Sequence, residues 1–207
     1  MLAPGLTVFS QSTPFAVTEH RHPVWKIVLP AGGRAEVRVP GERPLAAPGV
    51  IVPPGLAHAC TADSGFTALF VDPWLLPPGL GLTPLDSATV RHLLGTPTLA
   101  AVTGLTGPGR PLDPRVARAL AASPDVPLPS VAAGVGLSPP RLRALVRESA
   151  GVPLVQLRRW ARLRTAIAGL SRTTVATAAA AAGFADQPHL TRTARSLLGR
   201  TPASLRR

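Results

Sequence analysis

The chain has 207 residues, which is enough for one large domain or two small ones, each with its own core. Hydrophobic residues make up 45% of the chain but aromatic residues only 4%, so the cores must be built mainly from Ala, Val and Leu. The single cysteine excludes an intrachain disulfide. Neither a basic leader before an apolar segment nor a long uncharged run is present, so we expect a soluble cytoplasmic protein with no membrane partner.

The positive charge is confined to the second half of the chain. Residues 1–109 hold six basic and six acidic side chains, whereas residues 110–207 hold sixteen arginines and four acidic residues. The whole net charge of +12 therefore belongs to the second half. Such asymmetry favours a polyanionic partner for one domain, although a solvated helical surface would give the same count.

Residues 1–75 have the pattern of a small β-domain. From about Val24 to Asp72, short segments rich in β-branched and apolar residues alternate with turns that contain Gly and Pro. The segments are WKIVL, AEVRV, GVIVP and TALFVD. Strands at this spacing predict a small β-sandwich or barrel.

Residues 76–111 are rich in Pro and Gly and are interpreted as a connector that carries one short helix. The segment LDSATVRHLLG predicts a helix that is capped near Asp86 and ends at Gly95. An alternative is that this helix completes the core of the β-domain. His92 on the helix is interpreted as a surface residue.

Residues 112–207 are helical throughout and contain a repeat. At a shift of 48 residues, Ser138 matches Asp186 and Gly151 matches Gly199; upstream, Gly136 matches Gly183 at a shift of 47. Each copy contains a short Ala-rich helix, a Gly turn, a polar N-cap and a longer basic helix. This order predicts two helix-turn-helix motifs, whose second helices enter the DNA major groove.

The two copies resemble a known family of regulators. The segment AAAAAGFADQPHLTRTARSLLGRTPASLRR resembles the C-terminal signature of AraC/XylS-type transcription regulators. The segment VPLPSVAAGVGLSPPRLRALVRESAGVPLVQLRRWARLRTAIAGL is similar to the first helix-turn-helix and linker helix of that family. The resemblance covers residues 112–207 and implies double-stranded DNA and RNA polymerase as partners.

The resemblance also implies which residues face DNA. The first recognition helix would present Pro139, Pro140, Arg141, Arg143, Ala144 and Arg147. The second would present Gln187, Pro188, His189, Thr191, Arg192 and Arg195. Because Pro139, Pro140 and Ala144 leave the first helix with few hydrogen-bond donors, we expect more of the base discrimination to come from the second helix and from DNA shape. The arginines of the linker helix, Arg158, Arg159, Arg162 and Arg164, are expected to be solvated.

The β-domain resembles the cupins, which are frequent sensors in this regulator family. EHRHPVWKIVLPAGG and GVIVPPGLAH are similar to the two halves of the cupin motif. That resemblance would bring His58 beside His20 and His22, where three imidazoles could hold a divalent metal ion or form the polar lining of a small-molecule pocket. The metal-binding Glu of the pattern is replaced here by Lys26 or Ile27, and its Asn by Ala62. Cys60 would be a substitute ligand or a buried thiol.

These features predict an α+β chain in which a small cupin-like β-barrel or sandwich precedes an all-α domain with two helix-turn-helix motifs. The leading hypothesis is a non-enzymatic, sequence-specific transcription regulator. Its β-domain would bind a small-molecule or metal effector and could form a homodimer. The alternatives are a metal-dependent cupin enzyme with an appended helical domain and a regulator that binds DNA without sensing.

Overall fold

The computed structural model describes residues 5–205, which divide into two compact units. The first unit is Gly5–Gly109, and the second begins at Arg110. The boundary falls where the charge changes from balanced to strongly basic. Among the described helices, none is both long enough and apolar enough to cross a membrane.

The first unit is built around two antiparallel sheets. In the described residues its strands are β1 (Leu6–Gln11), β2 (Phe15–His20), β3 (Trp25–Pro30), β4 (Ala35–Arg38), β5 (Leu45–Ala47), β6 (Gly49–Val52), β7 (His58–Ala62), β8 (Phe66–Val71) and β9 (Thr83–Leu85). One sheet has the order β1-β8-β3-β6-β9, and the other has the order β2-β7-β4-β5. The rings of Phe15 and Phe66, one from each sheet, are 3.9 Å apart, so the two sheets pack face to face.

Strand β3 is buried on both faces because a different part of the first unit packs against each face. Trp25, Ile27 and Leu29 lie in one apolar cluster with residues of the neighbouring strands and of the helices that follow. Since side chains alternate along a strand, Lys26 and Val28 face the opposite way, toward the other sheet. This alternation places a buried lysine between the two sheets.

Residues 76–109 pack into the first unit, in contrast to the connector expected from their Pro and Gly content. They contain β9 and two helices, α1 (Ser87–Gly95) and α2 (Leu99–Thr106). Val90, Leu93 and Val102 are buried in the cluster that contains Trp25. The helices therefore complete the core of the β-domain, as in the alternative weighed for α1. The side chain of Asp86 caps α1 by accepting a bond from Thr89 N, as predicted.

The second unit consists of six helices in the described residues. They are α3 (Pro114–Ala121), α4 (Leu128–Gly134), α5 (Pro139–Ala150), α6 (Leu154–Gly169), α7 (Val175–Ala181) and α8 (Gln187–Leu198). Ala203–Leu205 form a 3-10 turn after α8. The pairs α4–α5 and α7–α8 are the two predicted helix-turn-helix motifs.

The predicted helix boundaries of α5 and α8 are confirmed. Ser138 accepts a hydrogen bond from Arg141 N at 3.4 Å, and Asp186 accepts one from His189 N at 2.6 Å. Gly151 and Gly199 end the two helices in the left-handed conformation, with φ of 71° and 65°. Both helices have 12 residues, so the repeat is preserved in the structure.

Two arginines of α6 bind the loop between α3 and α4, although the linker arginines were expected to be solvated. Nη2 of Arg158 donates to the carbonyl oxygen of Pro124 at 2.6 Å and also to that of Val126. Nη2 of Arg162 donates to the same Pro124 oxygen at 2.9 Å, and its Nε lies 3.4 Å from Oδ1 of Asp125. The long guanidinium groups therefore tie the loop to α6.

Candidate functional site

The residues expected to face DNA lie mostly on the outer surface of α5 and α8. The exposed members of the set are Pro140, Arg141, Arg143, Ala144 and Arg147 on α5, and Gln187, Pro188, Arg192 and Arg195 on α8. The partly buried members are Pro139, His189 and Thr191. No member of the set is buried in the core.

The opposite faces of the two helices are apolar and buried. On α5 the buried side chains are Leu142, Leu145, Val146 and Ala150. On α8 they are Leu190, Thr193, Ala194, Leu197 and Leu198. Because residues three and four apart share a helix face, burial of this stripe fixes the outward direction of the polar residues.

His189 differs from its neighbours because its ring packs on another side chain. The centroids of the His189 and Phe184 rings are 5.2 Å apart, with the rings at 84° to each other. Phe184 is buried in the turn between α7 and α8. This contact holds the His189 ring at the first turn of α8, whereas Gln187 and Arg192 project freely.

The exposed side chains suit the recognition of a duplex. Arg192 and Arg143 carry guanidinium forks that can pair with guanine, and Gln187 can pair with adenine. Arg141, Arg147 and Arg195 add positive charges that can contact phosphates. Both helices therefore present guanidinium donors on their exposed faces, and α8 adds the amide of Gln187.

In the first unit, three histidines converge between the sheets. His20 ends β2 and is paired in register with His58, which begins β7. His22 lies two residues after His20, and its carbonyl oxygen accepts a hydrogen bond from Gly55 N at 2.8 Å. Gly55 has a φ of 78°, a conformation that suits glycine, so the PPG turn fixes His22 and leads into His58.

Each histidine uses one ring nitrogen to bind the backbone. Nδ1 of His20, His22 and His58 lies 2.8, 2.7 and 3.0 Å from the carbonyl oxygens of Thr18, Val24 and Leu56. The three Nε2 atoms are buried and have no hydrogen-bond partner. One ring nitrogen of each histidine lies within 4.8 Å of those of the other two.

The chemistry of this cluster fits a divalent metal ion. Burial is the largest cause that lowers the pKa of all three imidazole rings, and the positive charge of Lys26 lowers each pKa further. The pKa is lowered to about 3 for His20 and to about 4 for His58. The rings are therefore neutral at pH 7. Neutral imidazoles whose Nδ1–H is bound to a carbonyl are the usual form of metal-bound histidine. An ion would give the three buried Nε2 atoms the partner that they lack.

Cys60 lies outside this cluster of donor atoms. It is buried on β7, two residues after His58, and burial raises the pKa of its thiol. Its Sγ lies 3.9 Å from the carbonyl oxygen of Thr61. Ala62, which stands where the cupin pattern has Asn, is also buried and offers no ligand.

Comparisons with known proteins bear on both units. A family of helix-turn-helix domains matches residues 131–207. A search of curated proteins found no match. Among solved structures, ToxT from Vibrio cholerae has a similar fold, with 10% identity, a TM-score of 0.60 and 96% of each chain covered.

Two further ToxT structures give the same result. One, from Vibrio cholerae O395, has 10% identity and a TM-score of 0.61, covering 97% of this chain and 95% of that chain. The other, ToxT bound to an unsaturated fatty acid, has 11% identity and a TM-score of 0.58, covering 97% and 92%. The helix-turn-helix match and the shared fold show a chain with an N-terminal β-domain and a C-terminal helical domain of the helix-turn-helix type.

Proposed function

We propose that α5 and α8 read two successive major-groove segments of one DNA site and that an effector bound in the β-domain modulates this binding. The proposal rests on the repeated architecture of the two helices. In each, a leucine-containing stripe is buried while arginines and other donors project outward. Such a regulator acts where the genome is, in the cytoplasm.

The charge distribution supports DNA as the partner. All of the net positive charge lies in the part of the chain that contains α5 and α8. A cupin-type enzyme would account for the histidines but not for the basic repeat. The resemblance adds RNA polymerase and a second copy of the chain as further partners.

DNA binding is tested by selecting sites from random duplexes with the full chain. We expect a recovered motif with two parts separated by about one helical turn, or about 10 base pairs. Binding of the selected duplex should weaken steeply with salt because several arginines contact phosphates. Equal affinity for selected and scrambled duplexes would contradict the proposal.

A matched pair of variants distinguishes the effect of specific contacts on DNA affinity from the effect of net charge. Arg192→Ala removes one positive charge from α8, and Arg91→Ala removes one exposed charge from α1 in the other unit. Only the first should reduce affinity for the selected duplex. Equal effects would indicate that affinity depends on overall charge alone.

For the effector, we infer that His20, His22 and His58 hold a divalent metal ion through their Nε2 atoms. Support comes from the buried position of these atoms, which have no hydrogen-bond partner. The ToxT structure with a bound fatty acid supports effector binding more generally within this fold. The three imidazole donors favour zinc or a similar ion, because imidazole nitrogen is a common ligand for these metals.

The metal site is tested on protein purified without a histidine tag and stripped of metal. Titration with zinc or cobalt should show one ion per chain, and DNA affinity should then be compared with and without the ion. His58→Ala should abolish tight binding. His92→Ala, which removes an exposed histidine of the same unit, is the control and should bind normally.

A further inference from the structure

Strand β1 differs from the other strands at the edges of the two sheets. In the described part of the chain the edge strands are β1, β9, β2 and β5. Proteins usually protect such edges with short strands, proline, charge or irregular pairing. Strands β5 and β9 have three residues each, β9 contains Pro84, and β2 contains Glu19 and a shift of register. Strand β1 has six residues and contains neither a charged residue nor proline.

The hydrogen bonds beside β1 show which of its backbone groups point away from the sheet. Just before the strand, the carbonyl oxygen of Gly5 accepts a hydrogen bond from Asp72 N at 3.0 Å, on the side of β8. In an antiparallel pair, every second residue bonds to the same neighbour. The backbone N–H and C=O groups of Leu6, Val8 and Ser10 therefore point to the outer edge of the sheet.

The side chains of these residues place an exposed apolar group at the same edge. Leu6 packs against the apolar cluster that contains Trp25. Val8 lies on the same face, since side chains alternate along a strand, and it is 43% exposed. Ser10 is also exposed. A strand added beside β1 would cover Val8 and bond to the outward backbone groups.

The charge of the first unit favours a second copy of this chain as the added strand. Residues 1–109 carry six basic and six acidic side chains, whereas the whole net charge of +12 lies in residues 110–207. Two basic halves repel each other, but two neutral halves do not. Because β1 itself is uncharged, two copies of the strand also meet without local repulsion.

We propose that two copies of the chain associate through antiparallel pairing of their β1 strands, about a two-fold axis at Val8. Val8 then lies opposite Val8 of the second copy, and Leu6 lies opposite Ser10, so the outward groups of both strands are paired. This pairing supplies up to about six main-chain hydrogen bonds. It also joins the two five-stranded sheets into one continuous sheet.

The inference rests on the second copy of the chain that the proposed function includes, and it names the surface that this copy uses. It depends neither on the metal ion nor on DNA, because β1 lies outside the histidine cluster and outside the helical unit. The proposals can therefore fail separately.

The association is tested by sedimentation of the full chain over a range of concentrations. The wild type should form dimers. Val8→Lys and Val8→Glu each place two like charges opposite one another, so the dissociation constant of the dimer should rise about tenfold or more. Ala46→Lys adds the same charge at an exposed position of the edge strand β5 in the other sheet. It is the control and should dimerise like the wild type.

Mixing the Val8→Lys and Val8→Glu variants gives the reciprocal test. Opposite charges then face each other across the axis, so the mixture should associate more tightly than either variant alone. Recovery in the mixture would also show that both variants are folded. A mixture that does not recover would overturn the proposed register.

Two other results would overturn the proposal. One is a wild type that stays monomeric at high concentration, which would leave the edge of β1 to a strand of another protein. The other is a Val8→Lys variant that dimerises as tightly as Ala46→Lys. DNA binding is measured separately: Val8→Lys should still select the two-part site, since one chain carries both α5 and α8. Failure of the wild type to select a site would contradict the DNA proposal and leave the pairing of β1 standing.

Discussion

Gly183, in the turn between α7 and α8, packs against the carboxylate of Asp125 in the loop between α3 and α4. A β-carbon added at position 183 would collide with Oδ1 of Asp125. The same loop is hydrogen-bonded to α6 through Arg158 and Arg162. The loop before the first helix-turn-helix motif therefore lies in the angle between α6 and the turn of the second motif.

Gly183→Ala should destabilise the protein more than the equivalent change in the first motif. Gly183 and Gly136 both have positive φ, 72° and 67°, but a β-carbon at Gly136 would meet nothing within 4 Å. Gly136→Ala should cost about 1–2 kcal/mol from the left-handed backbone alone. Gly183→Ala also forces the exposed Asp125 carboxylate to move away from Arg162, which adds a small further cost. Chemical unfolding of both variants measures the difference.

Asp125→Ala tests whether the Asp125 carboxylate causes the difference in stability between Gly183→Ala and Gly136→Ala. In the Asp125→Ala background, Gly183→Ala should cost about as much as Gly136→Ala, since the colliding carboxylate is gone. If the excess cost persists in the double variant, the contact with Asp125 is not its cause.

Arg158→Ala should lower the free energy of unfolding by about 1–3 kcal/mol, because the carbonyl oxygens of Pro124 and Val126 both lose a charged donor. Arg159→Ala is the control. Arg159 is half-buried on the same helix and makes no side-chain hydrogen bond in the described structure. Equal losses of stability in the two variants would mean that the loop contacts are dispensable.

Asp186→Ala should destabilise α8 by about 1 kcal/mol, since the amide of His189 loses its acceptor. Asp186→Asn keeps a capping oxygen while removing the charge and should retain most of the stability. Thermal unfolding of the two variants separates capping from charge. A similar loss in Asp186→Asn would assign the effect to charge at the helix N-terminus instead.

The double variant Gln187→Ala/Arg192→Ala should relax sequence preference more than Arg143→Ala does. Gln187 and Arg192 are exposed on α8 and carry donors that can pair with bases, whereas the start of α5 carries Pro139 and Pro140. Site selection with each variant measures the change, and each lost base contact should remove about 1–3 kcal/mol of discrimination. A larger effect of Arg143→Ala would reverse the assignment of the principal reading helix.

Cys60→Ala should leave metal affinity within about twofold of the wild type, while His22→Ala should abolish tight binding. The reason is geometric, because the cluster of ring nitrogens does not include the thiol. The measurement is competition with a chelator of known affinity. A large loss in Cys60→Ala would show that the thiol is recruited when the ion binds.

Features that depend on neighbours along the chain could be predicted from the sequence. The caps at Asp86, Ser138 and Asp186 and the glycine exits of α5 and α8 are local, so residue type and spacing are sufficient. The apolar strands β3 and β8 were predicted for the same reason. In β2, by contrast, the pairing register shifts between Val17 and His20, which obscures the alternation that marks a strand.

Features that depend on distant partners could not be predicted. Arg158 resembles any arginine on an amphipathic helix, and its acceptors lie more than thirty residues earlier in the chain. The local pattern left open whether the helix that carries Leu93 packs against the β-domain, since the Pro and Gly on both sides of it equally suggest a connector. For the histidines, the cupin resemblance supplied the non-local information that periodicity lacks.

The helices α5 and α8 have equal lengths and matching ends, so the two proposed recognition helices share one architecture. Because the cap, the glycine exit and the buried stripe are repeated, any difference in sequence preference between the two helices resides in their outward side chains. Transferring Gln187, His189, Thr191 and Arg192 to the matching positions 139, 141, 143 and 144 should therefore convert the preferred operator toward a direct repeat. By the same logic, one half-site can be retargeted during evolution while the other is left intact.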